Sequence, residues 1–261
     1  MRPAVPSPRG TKVPPRITPV FWAIKILTTA MGEATSDYLV HQNPYAAVLA
    51  GFVAFVIAMA IQLRSPVYVP WIYWLAVLMV AVFGTMCADV LHVEFGVPYI
   101  ASALGFAIVL VVVFSAWHRS EGTLSIHSIT TTRRELFYWA AVLATFAMGT
   151  ATGDLFAYTA GLGFLASGLI FAAAFLVPLV GWRLGVSPIL AFWTAYVLTR
   201  PLGASFADWG GKSRTAHGLG YGDGPVAGVL FVVIVALVAY VTVSREDGRQ
   251  SPATSRRRNT R

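Results

Sequence analysis

The sequence contains few charged side chains and a single cysteine. Charged residues make up 11% of its 261 residues, whereas hydrophobic residues make up 57%. Soluble domains carry about 25% charged residues, so the composition excludes an ordinary soluble domain. The lone cysteine, Cys87, excludes an intramolecular disulfide. No G-x-S-x-G, H-E-x-x-H or paired-cysteine motif occurs, so nothing supports catalysis and we expect the protein not to be an enzyme.

Long apolar stretches are what the chain has instead. A hydrocarbon core of ~30 Å requires a helix of ~20 residues, and the chain is long enough for eight. Stretches such as 103–114 and 228–243 are apolar on every face, which favours helices over the alternating strands of a barrel. The sequence therefore predicts an all-α polytopic membrane protein. Its eight transmembrane helices are expected at 18–40, 45–63, 69–91, 98–117, 135–158, 162–182, 188–208 and 225–243.

An internal repeat underlies these helices. Four tryptophans are each followed ten residues later by glycine and fifteen residues later by aspartate. The sets are Trp22/Gly32/Asp37, Trp74/Gly84/Asp89, Trp139/Gly149/Asp154 and Trp193/Gly203/Asp208. Such self-similarity fixes the architecture. Each repeat is a two-helix hairpin, so all four copies have the same orientation and are parallel.

The repeats divide the chain into segments. We expect a basic cytoplasmic tail at 1–17, and a disordered basic cytoplasmic tail at 245–261 that is rich in Ser, Thr and Arg. The repeats are expected at 18–68, 69–134, 135–187 and 188–244. The second of them includes a polar cytoplasmic loop.

The basic residues are distributed unevenly between the two sides of these hairpins. Fifteen fall on one side: Arg2, Arg9, Lys12, Arg16, Arg64, Arg119, Arg133, Arg134, Arg183, Arg245, Arg249, Arg256, Arg257, Arg258 and Arg261. Only Lys212 and Arg214 fall on the other. This asymmetry predicts that both termini are cytoplasmic and that the number of helices is even. The expected partners are the bilayer and, at the tails, anionic lipid head groups. We expect no nucleic acid partner, and oligomerisation stays open.

The repeat spacing also predicts depth in the bilayer. Each marker tryptophan lies just inside the cytoplasmic edge. At 1.5 Å per residue, the glycine is ~15 Å and the aspartate ~22 Å further along the helix. The glycines are thus expected near the midplane, where they permit close helix packing. The aspartates are expected in the outer third, where intramembrane carboxylates are costly and usually functional.

Each aspartate lies at the C-terminal end of its helix, where the helix dipole disfavours an anion. The carboxylates therefore need a proton, a basic partner, hydrogen-bond donors or a bound cation. Four of them facing a common axis predict a metal or proton site of the kind found in cation pathways. The alternative is structural: each aspartate accepts hydrogen bonds from the amides that open the next helix and braces the hairpin.

Other polar residues share a helix face with these aspartates. Thr29 and Glu33 precede Asp37, while Thr85, Thr150 and Arg200 precede the aspartates of the other repeats. Hydroxyl and carboxylate oxygens suit protons and hard divalent cations. Lys25 lies eight residues before Glu33, and Arg200 lies eight before Asp208, so each base is a candidate partner for the acid two turns away.

Related motifs end the first helix of each repeat: GEATSD at 32–37, GTMCAD at 84–89, GTATGD at 149–154 and GASFAD at 203–208. The first repeat also contains a Lys25-x-x-Thr28-Thr29-x-x-Gly32-Glu33 motif. In these motifs the sequence resembles a bacterial family of tandem-repeat membrane proteins of unknown function. The resemblance covers about residues 18–243, and implies a bacterial inner-membrane protein of eight helices, four pairs each with a marker tryptophan. It implies no activity or ligand.

These observations lead to three hypotheses. The first is a small cation transporter, with or without proton coupling, for a proton or a divalent metal such as Mn²⁺. In it, Asp37, Asp89, Asp154 and Asp208 bind the cation and Glu33 is the coupling acid. Lys25, Arg200, Thr29, Thr85 and Thr150 tune these carboxylates. The second is a membrane anchor or regulatory protein that transports nothing. The third, an intramembrane enzyme acting on lipid, needs a reactive group that the sequence does not display.

Overall fold

The structure is a computed structural model that describes residues 10–246, and this part contains helices and no strand. Its α-helices are α1 (Pro19–Gln42), α2 (Pro44–Arg64), α3 (Pro70–Val93), α4 (Tyr99–Glu121), α5 (Thr132–Asp154), α6 (Gly163–Arg183), α7 (Pro188–Gly211) and α8 (Asp223–Ser244). A proline at the first helical position opens α1, α2, α3 and α7. Proline suits this position because its missing N–H would have no helical partner.

The helix boundaries differ from the predicted ones by a few residues. The largest difference is in the fifth helix, predicted at 135–158. It begins at Thr132 because the Thr131 side chain accepts a hydrogen bond from Arg134 N, and its α-helical part ends at Asp154. A π-helical turn, Leu155–Thr159, continues it.

Six helices of the described part are long and apolar enough to cross a membrane. They are Pro44–Arg64, Pro70–Val93, Tyr99–Glu121, Thr132–Thr159, Gly163–Arg183 and Asp223–Ser244. The two remaining helices, α1 and α7, carry Lys25, Glu33, Asp37, Arg200 and Asp208. They belong to the centre of the bundle, where neighbouring helices enclose these side chains.

The first helices of the four repeats form a closed inner ring. In it α1 packs against α3 and α7, and α5 packs against the same two helices. The outer helices pack chiefly on the inner helix of the following repeat: α2 on α3, α4 on α5, α6 on α7, and α8 on α1. The last repeat therefore closes onto the first, and the four hairpins surround one axis.

The repeated glycines set the spacing of this ring. Each one faces the residue that lies seven positions after the tryptophan of the following repeat. The four pairs are Gly32 with Ala81, Gly84 with Phe146, Gly149 with Arg200 and Gly203 with Thr29. A Cβ atom at any of these glycines would overlap its neighbour. Glycine is thus required here for close helix approach, and the same contact recurs around the ring.

One end of the bundle is covered by residues 10–17, which the sequence analysis placed in a basic tail. Lys12 is buried there, and its Nζ lies 2.5 Å from Glu135 Oε2 and 3.0 Å from Leu63 O. Gln62 Nε2 donates to Glu135 Oε1 at 2.8 Å. These bonds draw the segment onto the helix ends because both buried charges need partners. The rest of the two predicted tails, 1–9 and 247–261, lies outside the described residues.

Candidate functional site: an axial ion pair and an outer carboxylate group

A buried arginine joins the four inner helices at the centre of the bundle. Arg200 Nη2 on α7 lies 2.5 Å from Glu33 Oε2 on α1 and 2.6 Å from Thr150 Oγ1 on α5. It also donates to Thr85 Oγ1 on α3, and Arg200 Nη1 donates to Thr29 O at 3.3 Å. All five side chains are buried. We call this set, Thr29, Glu33, Thr85, Thr150 and Arg200, the axial network.

The repeat register explains why these residues meet. Glu33, Thr85 and Thr150 occupy the same position, eleven residues after their marker tryptophans. Arg200 lies one helical turn earlier in the fourth repeat, and Gly149 leaves room for its side chain. The charged acceptor and two hydroxyl acceptors reduce the cost of burying a guanidinium.

The ion pairs expected from spacing alone are not the ones that form. Arg200 pairs with Glu33 and not with Asp208, because Glu33 faces it from the neighbouring helix. Lys25 does not pair with Glu33. Its Nζ is fully buried, lies 4.2 Å from the ring centre of Phe146 and 4.3 Å from that of Tyr196, and has no hydrogen-bond partner in residues 10–246. Two aromatic faces therefore surround the amine.

Buried tyrosines form another polar group that the sequence analysis missed. The hydroxyl oxygens of Tyr73 and Tyr138 lie 2.5 Å apart, and Tyr196 is also fully buried. Tyr73 and Tyr138 directly precede the marker tryptophans of the second and third repeats. This shared offset was a detectable signal.

Toward the opposite end from Lys12, carboxylates converge from α1 and α7. Oxygen atoms of Glu33, Asp37 and Asp208 all lie within 4.8 Å of one another. Glu33 and Asp208 are buried and Asp37 is partly buried. We call these three residues the outer carboxylate group. Such oxygen ligands suit hard cations, and no soft ligand is among them.

A lysine that the sequence analysis left in an external loop reaches this group. Lys212 Nζ lies 2.5 Å from Asp37 Oδ2, 3.7 Å from Asp223 Oδ2 and 4.0 Å from Asp208 Oδ1. Burial alone would lower the pKa of Lys212, but the carboxylates of Asp37 and Asp208 raise it above its ordinary value. The ammonium is therefore retained, and it is paired with Asp37 and Asp208 while Arg200 is paired with Glu33.

The aspartates of the second and third repeats are placed differently. Asp89 and Asp154 are partly buried and form no hydrogen bond or ion pair within residues 10–246. They interact electrostatically with Glu33 and Asp37. The equal spacing in sequence thus yields two different settings, and only Asp37 and Asp208 join the outer carboxylate group.

The hydrogen bonds expected for hairpin bracing are also not found within the described part of the chain. None of the carboxylates of Asp37, Asp89, Asp154 and Asp208 accepts a hydrogen bond from a backbone amide there. The hairpins close by other means. In the first, Asn43 Oδ1 accepts from Ala46 N at 3.0 Å at the start of α2.

Comparison with known proteins identifies the repeat. A family described as Repeat of Unknown Function (DUF347) matches residues 20–68, 72–123, 137–184 and 191–247. These four matches coincide with the four hairpins that surround the axis. No curated protein and no solved structure matches the chain. The chain therefore belongs to the DUF347 repeat family.

Proposed function

We propose that this protein is a membrane cation transporter whose cation site is the outer carboxylate group. The observation that carries this proposal is the convergence of Glu33, Asp37 and Asp208 within 4.8 Å. Three anions at this distance repel each other strongly in a low-dielectric interior unless cations or protons neutralise them. Lys212 supplies one positive charge at 2.5 Å from Asp37, and Arg200 supplies another at 2.5 Å from Glu33. A bound cation or a proton neutralises the remaining negative charge.

In this proposal all eight helices span the bacterial inner membrane, with both termini in the cytoplasm. The closed ring supports this arrangement because the outer helices shield the charged residues of α1 and α7 from lipid. The basic end carries Arg64, Arg119 and Arg183, as expected for the cytoplasmic side. The outer carboxylate group then lies toward the external side.

Lys212 is a tethered competitor for the transported cation. Its ammonium lies 2.5 Å from Asp37 and 4.0 Å from Asp208, two of the three carboxylates that would bind a cation. It lies just after α7 at the start of a glycine-rich loop. A cation that enters must displace it. The carboxylates are then neutralised either by Lys212 or by the cation. A carrier can exchange between these two states without leaving its buried carboxylates uncompensated.

Glu33 connects this site to the axial network. Its Oε2 accepts from Arg200 Nη2 at 2.5 Å, and the same carboxylate belongs to the outer group. A cation bound by Glu33 therefore weakens the bond that joins Arg200 to α1. Because Glu33 belongs to both groups, we assign it as the coupling acid. We assign Arg200 as the residue that closes the path along the axis.

The ligand chemistry favours a proton or a hard divalent cation such as Mn²⁺. We assign four further residues to the closed path between the outer carboxylate group and the basic end: Lys25, Thr29, Thr85 and Thr150. None of them contributes an oxygen to the outer carboxylate group. Asp89 and Asp154 add negative potential near the site without contacting Lys212. This potential attracts cations to the site.

The test is ion flux in proteoliposomes that contain the purified full chain. Mn²⁺, Mg²⁺, Ca²⁺ and proton fluxes are compared for wild type, Asp37→Asn, Asp208→Asn and Glu33→Gln, each shown to be folded by size-exclusion chromatography. We expect at least a tenfold loss for these three variants. Asp89→Asn and Asp154→Asn are the matched controls, and we expect a loss below threefold.

Equal losses of flux in all four Asp→Asn variants would show that all four repeats form the site, and not α1 and α7 alone. Absence of flux for every ion in the folded wild type would reject transport. The anchor or regulatory alternative would then apply, and the carboxylate substitutions would alter stability alone.

A further inference from the structure

A groove opens at the basic end of the bundle, far from the outer carboxylate group. It has a volume of about 500 Å³ and lies between the start of α1, the end of α6 and the start of α7. The side chains of Trp22, Leu179 and Phe192 give it an apolar lining. Residues 15–18 and 124–127 form its other edges.

The helix α6, which forms one wall of the groove, also exposes apolar side chains. Trp182 lines the groove and is 51% exposed, and Leu176 and Val180 on the same helix are also exposed. On a membrane-spanning helix this surface faces acyl chains. An acyl chain can therefore enter the groove from the side without crossing a polar barrier.

The ionisable side chains at the groove are basic. Arg16 and His127 line it and are exposed, and no acidic residue is among its lining residues. Arg183 lies over the Trp182 ring at 5.8 Å. The first turn of α7 is also at this edge, and Ser187 does not cap it with its side chain, so that its N–H groups add positive potential. This edge is complementary to an anionic head group.

From this combination we propose that the groove is a binding site for an anionic phospholipid. An acyl chain lies against Trp22, Leu179 and Phe192, and the phosphate-containing head group lies against Arg16 and His127. The apolar lining selects an amphiphile over a free phosphate, and the basic edge selects an anionic head group over a zwitterionic one. The proposal does not depend on transport.

The experiment measures thermal unfolding of the delipidated full chain in neutral detergent. Phosphatidylglycerol, phosphatidylcholine with identical acyl chains, and glycerol 3-phosphate are added separately. We expect phosphatidylglycerol to raise the melting temperature several degrees more than phosphatidylcholine, and glycerol 3-phosphate to have no effect. The Arg16→Gln/His127→Gln variant should lose the difference between the two lipids. Arg119→Gln, an exposed basic residue of the same end outside the groove, should retain it.

A second measurement locates the lipid. Phosphatidylglycerol with a photoreactive acyl chain should label peptides that contain Leu179 and Phe192, and Ala191→Phe, which adds a ring at a residue that lines the groove, should abolish the label. Equal stabilisation by both lipids, or labelling that Ala191→Phe leaves unchanged, would overturn the proposal. If the wild type is a dimer and Ala191→Phe dissociates it, the groove is instead an interface with a second copy of the chain.

Discussion

The α1–α7 side of the inner ring and the α3–α5 side have the same repeat pattern but different chemistry. The first side supplies Glu33, Asp37, Asp208 and Lys212, which form ion pairs or a carboxylate group. The second supplies Thr85 and Thr150 to the axial network, and aspartates that form no ion pair in the described chain. Each repeat places an aspartate at the equivalent position, but Glu33 and Lys212 lie only on the α1–α7 side, and the charges converge there.

Removal of Arg200, which holds a buried charge on the α1–α7 side, should have the largest effect on stability. Arg200→Met leaves Glu33 buried without its base, and loss of one partner of a buried pair costs about 3–5 kcal/mol. We expect a decrease of that size in the free energy of unfolding, measured by chemical denaturation in mixed micelles. The Glu33→Gln/Arg200→Met double variant removes both charges and should recover more than half of the loss. Equal stability of the single and double variants would contradict the buried-pair interpretation.

Substitution of the repeat glycines tests whether close packing holds the α1–α7 side together. A Cβ at position 203 would overlap the Thr29 side chain, whose Oγ1 donates to Thr199 O at 3.0 Å. We expect Gly203→Ala to reduce the free energy of unfolding by about 1–3 kcal/mol through overpacking.

The matched control is Gly228→Ala on α8, where a Cβ meets no atom within 4 Å. Its stability should stay within about 0.5 kcal/mol of wild type. On the other side of the ring, Gly84→Ala meets Phe146 and should destabilise without changing cation affinity. A stable Gly203→Ala variant would show that the helices separate easily there.

Removal of Lys212 should have a smaller effect, which is on cation affinity at the α1–α7 side. Lys212→Met frees the carboxylates of Asp37 and Asp208, so we expect about tenfold tighter cation binding, or ~1.4 kcal/mol. Isothermal titration with Mn²⁺ measures this change. Arg214→Met is the control, because Arg214 is exposed and lies two residues further along the same loop. Weaker binding in Lys212→Met would make the lysine a positioning residue instead of a competitor.

The pH dependence of this effect follows from the raised pKa of Lys212. A lysine with a raised pKa remains charged below its ordinary value of about 10.4 and loses its proton only above it. The ratio of the Lys212→Met and wild-type affinities should therefore be constant between about pH 6 and pH 9. A ratio that decreases over this interval would show that Lys212 loses its proton there, and would contradict the raised pKa.

The sequence predicted the helices and the repeat well because both depend on local patterns. Apolar stretches long enough to cross a bilayer located the eight helices to within a few residues. The spacing of tryptophan, glycine and aspartate located four hairpins that the family matches confirm. The pairing of Arg200 with Glu33, and the enclosure of Lys25 by Phe146 and Tyr196, could not be read from spacing. Both depend on which helix lies beside α1.

The sequence by itself determined the all-helical class, the number of repeats and the level of each polar residue along its helix. These properties follow from helix rise and from hydrophobic patterning, which are local. The tertiary structure alone decided that α8 packs on α1 and closes the ring, and that Asp37 and Asp208 converge with Glu33 while Asp89 and Asp154 do not. It also brought Lys212 from a loop to these carboxylates, because side chains far apart in sequence meet only after the helices have packed.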